Sequence, residues 1–333
     1  MSNDKVIDIK NQGEEHHTAV FGIVIKKIIP FIEMRWFSFI LSAAILLAGV
    51  VVYIYKGGFK LGIDFKGGTR IQVVINTPEM DIQHLRKTFN DAKMEADINT
   101  IGNPSEKIFM ITVPVGENTT GKEAGELTSF LEKSYGVDKV SVRGSELVGP
   151  KMGKVFAERS LQLLLIASLL ILIYVAVRFD FFYGTGAITS TLHDCLTMLA
   201  FAVFLDIPID ITVIAAILTI LGYSINDTIV VFDRIRELHA INRDEDYAHI
   251  IDKSITQTLS RTIITSITVF TISFCMYVWG GQVLKNFALL LMIGILCGTY
   301  SSIFVASPIT YMLRMAFDKR IKTVKAVKAV KAK

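Results

Sequence analysis

Long apolar runs separated by short polar breaks dominate the chain. A bilayer core takes roughly 20 apolar residues per helix, and six stretches approach or exceed that length: 36–54, 160–177, 182–204, 211–232, 258–279 and 286–313. The third and sixth are interrupted by small and polar residues. The first starts too far into the chain, and has too long an apolar core with no small-x-small site after it, to be a cleavable signal. Between the first and second runs the rhythm changes. Arg70 to Asn76 reads as a strand, 79–93 as a helix through Ile82, Leu85 and Phe89, and 96–101 and 107–115 as strands around the turn-forming Gly102-Asn103-Pro104-Ser105. A helix over 120–135 ends at Gly136, and 137–143 alternates as a half-buried strand does. The order βαββαβ predicts a ferredoxin-like α+β domain over 55–158. The fold class expected is therefore a polytopic α-helical membrane protein of six transmembrane helices with one such domain between helices 1 and 2.

Composition agrees: 51% of the 333 residues are hydrophobic and the mean hydropathy is +0.48. A soluble domain rarely reaches these values. The three cysteines, Cys195, Cys275 and Cys297, all fall within spans and read as small hydrophobes rather than a disulfide framework. Basic residues flank one side of the spans: Lys26, Lys27 and Arg35, then Arg178, then Arg234, Arg236, Arg243 and Lys253, then Arg314, Lys319 and Arg320. The opposite short loops hold only Lys285. The positive-inside rule places both termini in the cytoplasm. The expected layout is thus a cytoplasmic N-terminus over 1–35, an extracytoplasmic domain over 55–158, a cytoplasmic loop over 233–257 and a basic cytoplasmic tail over 314–333. Segment 18–32, too short and basic to span, reads as an interfacial amphipathic helix. The Lys-Ala-Val repeats of the tail fit either anionic lipid or a solvated end. No nucleic-acid module is present in the pattern.

An ionisable residue at mid-membrane costs about 2.5–3.5 kcal/mol on insertion scales, yet Asp227 lies in the fourth span and Arg261 near the start of the fifth. At about 100° per residue, Thr212, Thr219, Tyr223, Asn226 and Asp227 share one face of span 4. Gln257, Arg261, Thr265, Thr268 and Cys275 share one face of span 5. On span 3, Gly186, Ser190, His193 and Thr197 line up, with Asp194 at the margin. Such stripes face one another or a watery path, because lipid leaves them unsatisfied. Asp227 and Arg261 both sit within roughly 10 Å of the cytoplasmic boundary at 1.5 Å per residue, a depth that permits pairing. The functional reading is a proton relay through Asp227 and Arg261, in which a changing distance to the guanidinium switches the carboxylate's affinity. Asn226, His193 and Asp194 are further relay candidates. The bland alternative is a static ion pair. Gly294, Gly298, Ser302 and Ala306 form a small-xxx-small packing face on span 6.

Other chemistry is weak. The segment Gly116 to Lys122 matches a phosphate-binding loop except at its last position, where Glu123 replaces the magnesium-binding hydroxyl, so nucleotide binding is rejected. There is no HExxH pair and no Gly-x-Ser-x-Gly elbow. No enzyme activity, catalytic residue, metal or bound cofactor is expected, with the proton as coupling ion.

Several segments carry a family resemblance. Residues 61–69, Leu-Gly-Ile-Asp-Phe-Lys-Gly-Gly-Thr with Gly62, Asp64, Phe65, Gly67, Gly68 and Thr69, resemble the stretch after the first span of bacterial SecF and SecD. Residues 148–153 resemble the stretch before their second span. Residues 222–237, beginning Gly222-Tyr223-Ser224-Ile225-Asn226-Asp227, are similar to the fourth-span signature of SecF; 260–266 are similar to its fifth and Leu192-His193-Asp194 to its third. The resemblance covers about 35–315 and favours SecF over SecD. It implies a subunit of the Sec protein-export machinery in the RND superfamily, in the bacterial inner membrane. It also implies partnership with SecD, with the SecYEG channel and the translocating preprotein, and indirectly with SecA, to complete export on the proton motive force. The family's proton-handling Asp and Arg fall on Asp227 and Arg261. The runner-up is half of an RND-type exporter of lipid or small molecules, whose chains typically carry two large outer domains. A scaffold without an ion path is a third reading and predicts that Asp227→Asn is tolerated.

Overall fold

The computed structural model describes residues 18–20, 23–25, 28–77, 80–102, 106–114 and 123–331. The rejected phosphate-loop match at 116–122 lies outside them, as do residues 1–17. Two strands, β1 (Thr18–Val20) and β2 (Ile23–Ile25), come first. They pair antiparallel, Val20 opposite Ile23, where the sequence reading expects an interfacial helix. Every position in them but Ala19 is β-branched, which favours extended chain over helix. The next residues tie down to a later helix: the Ile32 amide donates to Asp252 Oδ1 at 2.9 Å.

Helix α1 (Arg35–Tyr55) is the first span. A short α2 (Ile63–Lys66) leads into a four-stranded sheet of β3 (Gly68–Ile75), β4 (Asp97–Ile101), β5 (Ile108–Pro114) and β6 (Val140–Val148), with α3 (Ile82–Asp91) and α4 (Glu123–Tyr135) interleaved. The spatial order β4-β5-β3-β6 with antiparallel neighbours is the expected split βαββαβ arrangement. Its core joins Ile71, Val73 and Ile75 from β3 to Leu85 and Phe89 from α3 and Leu131 from α4, all within 1% of full burial. Strand β6 extends five residues past the predicted end at 143, with a register shift opposite Gln72/Val73.

Five long helical segments follow. Pro150 occupies the first turn of α5 (Pro150–Arg178), where its missing N–H is harmless. Asp180 caps α6 (Phe181–Phe204) by accepting from the amides of Phe182 and Tyr183, and Asp210 caps α7 (Ile211–Ile241) by accepting from Val213. Then come α8 (Tyr247–Trp279) and a sixth span made of α9 (Gly281–Ser301), a π-helical segment (Ser302–Ala306) and α10 (Ser307–Lys331). Among the described residues six helices are thus long and apolar enough to cross a membrane. The stretch read as a loop over 233–257 is mostly helix, because α7 and α8 continue as a hairpin past the apolar zone. Ile235, Leu238, Ile250 and Ile251 are buried there, and Arg234 Nε donates to Gln257 at 2.7 Å. The basic tail is likewise helical as far as Lys331.

The spans are not equivalent. In α7 half of the most apolar window is buried within the chain and in α9–α10 56%, but in α5 only 11%. So α6, α7 and α9–α10 form the centre, with α1, α5 and α8 around them. The interior has two apolar clusters. One holds Ala187, Ile225, Phe232, Ile235 and Ile303; the other holds Met198, Ile217, Leu221, Leu290 and Ile295. Between them each central helix changes chemistry, with Ser190 to Thr197 on α6, Ser224 to Thr228 on α7 and Thr299 to Ser302 on the sixth span. A polar layer therefore crosses the bundle between two greasy ones.

Residues 59–69 clasp the sheet domain to the α6–α7 connection. Leu61 and Ile209 form a parallel bridge, with the Gly62 amide donating to Ile209 O at 2.8 Å and the Ile209 amide to Lys60 O at 2.7 Å. Asp64 Oδ2 accepts from the Ile211 amide at 3.1 Å. A Cβ at Gly62 would come within 2.8 Å of Asp210 Cβ, and Gly67 turns the chain at φ +80°, a region that glycine enters without strain. Phe65 packs on the second membrane cluster. Thr69 is buried, with its Oγ1 unpartnered among the described residues.

Candidate functional site

The polar layer contains a continuous hydrogen-bond chain. Asp194 is fully buried. Its Oδ2 accepts from Ser224 on α7 and from Ser301 on α9 at 2.5 and 2.7 Å. Its Oδ1 lies 3.1 Å from His193 Nδ1. His193 Nε2 lies 3.1 Å from Ser42 Oγ on α1, and Ser42 Oγ lies 3.2 Å from Tyr300 Oη on α9. Tyr300 in turn donates to the Ser38 carbonyl at 2.7 Å. Close helix approach makes this geometry: a Cβ on Gly298 would sit 3.1 Å from Ser224 Cβ, and one on Gly294 2.5 Å from Ile220. Of the small-residue face expected on the sixth span, Gly294 and Gly298 thus pack on α7, while Ala306 lies against Gly186 of α6. The predicted α6 face of Gly186, Ser190, His193 and Thr197 is buried, and Asp194, placed at its margin by periodicity, sits at its centre.

A second polar region lies between α7 and α8. Tyr223 Oη donates to Ser266 Oγ at 3.1 Å, and Ser266 lies 2.6 Å from Thr299 Oγ1. The helices run antiparallel, so one turn further along each brings Asp227 level with Thr262. Both are buried, and among the described residues Asp227 Oδ2 and Thr262 Oγ1 each lack a hydrogen-bond partner. A buried polar oxygen left unpaired costs about 1–3 kcal/mol, so this level of the seam is under-satisfied. Arg261 follows the outer face of α8 and is exposed on the chain. It is near enough to act on Asp227 through space. Among the described residues no ion pair joins the two within 4.0 Å, so the pairing that equal depth permits is not made here.

The same seam opens onto an exposed polar face. On α7, Ala215, Thr219, Gly222 and Asn226 are exposed, and on α8 so are Arg261 and Thr268. Thr219 and Thr268 satisfy their hydroxyls on their own helices, donating to Ala215 O and Ile264 O. The Asn226 amide and the Arg261 guanidinium make no side-chain hydrogen bond among the described residues. The sequence stripes are therefore of two kinds: that of α6 turns inward, while those of α7 and α8 run from the interior to an open face. Ser42, Tyr300, Ser301 and Thr262 were missed by the sequence reading. Isolated hydroxyls in apolar spans have no periodicity of their own, and only Thr262, beside Arg261, had a neighbour that marked its turn.

Nothing in either region groups three metal-ligating side chains among the described residues. The chemistry available is proton binding at buried carboxyl groups, one fully bonded and one not.

Residues 129–316 match the family described as protein export membrane protein SecD/SecF, C-terminal, and residues 52–79 match the SecD/SecF GG motif, which covers the clasp. The chain is 38% identical to the protein translocase subunit SecF of Haemophilus influenzae, over 84% of this chain and 85% of that one. It is 36% identical to SecF of Gemmatimonas aurantiaca, over 83% and 85%. Among solved structures it is similar to SecDF of Thermus thermophilus, a translocon-associated membrane protein, with TM-score 0.75 and 33% identity. That match covers 86% of this chain and 39% of that one, so this chain spans about two fifths of the SecDF polypeptide. With the fold, the GG clasp and the polar spans on one chain, and relatives matched over most of their length, the chain belongs to the SecF family.

Proposed function

We propose that this chain acts with a SecD partner beside the SecYEG channel to complete preprotein export after SecA has acted, driven by the proton motive force. Asp227 binds and releases the proton, and Arg261 sets its affinity. One observation carries the reading: a buried carboxylate with a free oxygen sits beside a guanidinium that it does not bond. A static ion pair would close that contact, with each charge compensating the other's desolvation. An open one leaves room for a proton to come and go, and for the distance to change when it does.

The exposed polar face supports a SecD partner. Asn226 and Arg261 would be unsatisfied against lipid, and in the similar SecDF structure about three fifths of the polypeptide lies outside the matched part. A second membrane half seated on α7 and α8 would cover Asp227 and Arg261 at the interface between the halves. The clasp at 59–69 supports a mechanical role for the outer sheet domain, since it ties that domain directly to the start of α7. The location that fits is the bacterial inner membrane with both termini cytoplasmic.

The test is preprotein processing in cells that carry Asp227→Asn or Arg261→Ala as their sole copy. Precursor accumulates in both while the protein inserts at normal level and co-purifies with SecD. Normal processing in either variant rejects the relay.

A further inference from the structure

The His193–Asp194 chain can be read proton by proton. Tyr300 has one hydroxyl proton and donates it to Ser38 O at 2.7 Å, so its oxygen accepts from Ser42. The single proton of Ser42 is then spent on Tyr300, and Ser42 accepts from His193 Nε2–H. At the other end Asp194 Oδ2 accepts from both Ser224 and Ser301. One proton is still needed between His193 Nδ1 and Asp194 Oδ1, which lie 3.1 Å apart. His193 already carries Nε2–H. The shared proton is therefore the second on an imidazolium or the first on a carboxylic acid. We infer that the His193–Asp194 pair is a second proton-binding site, loaded in this structure, whose occupancy is read out by the Tyr300 bond to the backbone of α1.

The consequence of unloading follows from the same count. Without that proton, His193 keeps one N–H, which must point from Nδ1 to the carboxylate. Nε2 becomes an acceptor, Ser42 turns its proton to it, and Tyr300 turns its own to Ser42. The Ser38 carbonyl is released. Protonation is thereby converted into a change of grip on α1, the helix that runs from Arg35 to Tyr55 and leads into the clasp and the sheet domain. The loaded pair is neutral overall, as a fully buried site between two apolar clusters favours. Neighbouring titratable side chains are Cys195 on α6 and Cys297 and Tyr300 on α9. Helix α1 brings no charged residue between Arg35 and Lys56, and α7 brings Ser224, with Asp227 one turn away.

This inference rests on the proton being the coupling ion. The experiment uses the full chain with its membrane partner in lipid bilayers at neutral pH. Nitrogen NMR of 15N-histidine protein reads His193, assigned by the signal lost in His193→Gln, and infrared spectroscopy reads the Asp194 carboxyl, assigned by the band lost in Asp194→Asn. The expected wild-type result is either an imidazolium at His193 or a protonated carboxyl at Asp194. Tyr300→Phe frees Ser42 to turn, so that signature gives way to a neutral Nδ1–H imidazole beside a carboxylate. A wild-type pair already in that deprotonated form overturns the inference, as does a Tyr300→Phe protein that keeps the loaded signature. Asp227→Asn separates the two readings. The loaded signature with normal export removes Asp227 from the mechanism and leaves this site; its absence from wild type with export lost in Asp227→Asn does the reverse.

Discussion

Two buried carboxylates in one bundle are treated in opposite ways. Asp194 is fully buried, accepts hydrogen bonds from Ser224 on α7 and Ser301 on α9, and shares a third with His193 beside it on α6. Asp227, three residues beyond Ser224 on α7, is almost as buried and has an oxygen with no partner. The first region is complete within the chain. The second is open on one side, where Asn226 and Arg261 face outward unbonded. The difference teaches how each site can change. A saturated carboxyl group changes only by passing its proton along the bonds that already hold it, whereas an unsaturated one, beside a guanidinium that makes no side-chain hydrogen bond among the described residues, is poised to exchange partners.

That comparison can be broken most sharply by exchanging the two roles. Asp194→Ala leaves two serine hydroxyls and an imidazole without their acceptor in the interior, and the expected loss of stability is about 3–5 kcal/mol, as for removing one partner of a buried pair. Asp227→Ala removes a group for which no hydrogen bond is found among the described residues, and is expected to change stability little or raise it, while stopping export. Thermal unfolding in detergent beside preprotein processing in cells checks both, and a large stability loss at Asp227 with none at Asp194 would invert the picture. Thr262→Val is the next step down. Deleting a buried hydroxyl with no partner raises stability by up to about 1–3 kcal/mol, the penalty of an unmade bond. If the hydroxyl serves Asp227 during proton exchange, export slows in the same variant and Thr262→Ser restores it.

The smallest expected effect lies outside the membrane, at the clasp. Lys60 contacts Asp97 of β4 at 2.9 Å and Asp206 at 3.2 Å, and Lys56 also reaches Asp206 at 3.3 Å. Burial alone would raise Asp206, but the hydrogen bonds and charges of Lys60 and Lys56 outweigh it and hold the carboxyl below its ordinary 3.8. Burial alone would lower Lys60, yet Asp97 and Asp206 hold it above 10.5. A lowered carboxyl contributes stability above its unfolded value and loses it as pH falls through the folded one. A raised amine contributes below its unfolded value and loses it as pH rises through the folded one. The bracket is therefore intact between the two ordinary values, and fades in acid below 3.8 and in alkali above 10.5. These groups are substantially exposed, so Asp206→Asn costs under about 1 kcal/mol. The pH dependence of unfolding in wild type and variant reads it, and an equal acid limb in both would remove Asp206 from the bracket.

Much of this was legible in the sequence because it is periodic. The six spans, the βαββαβ order and the inward α6 stripe all follow from spacing of 3.6 or 2 residues, and Asp227 and Arg261 stood out by their cost in an apolar run. What spacing cannot give is which helix lies against which. Ser42 and Ser301 are ordinary small residues of apolar helices until Gly298 lets α9 close on Ser224 and Tyr300 reaches α1. For the same reason Asp194 read as marginal: its phase on α6 was known, but its donors come from elsewhere in the chain. Arg261 shows the converse. Its depth was computable, but its outward direction depends on how α8 is rolled against α7, a choice made by Tyr223, Ser266 and Thr299. At the N-terminus, hydrophobicity suggested an interfacial helix, and the β-branched run decided for strands.

The most direct test of the Asp227 claim uses inverted membrane vesicles with a preprotein arrested late in translocation after ATP is exhausted. Imposing a proton gradient across vesicles with the unaltered chain and SecD completes the transfer, and across Asp227→Asn vesicles with the same amount of both subunits it leaves the preprotein arrested. Completion of transfer in the Asp227→Asn vesicles, at the rate of the unaltered ones and still dependent on the gradient, would contradict the account.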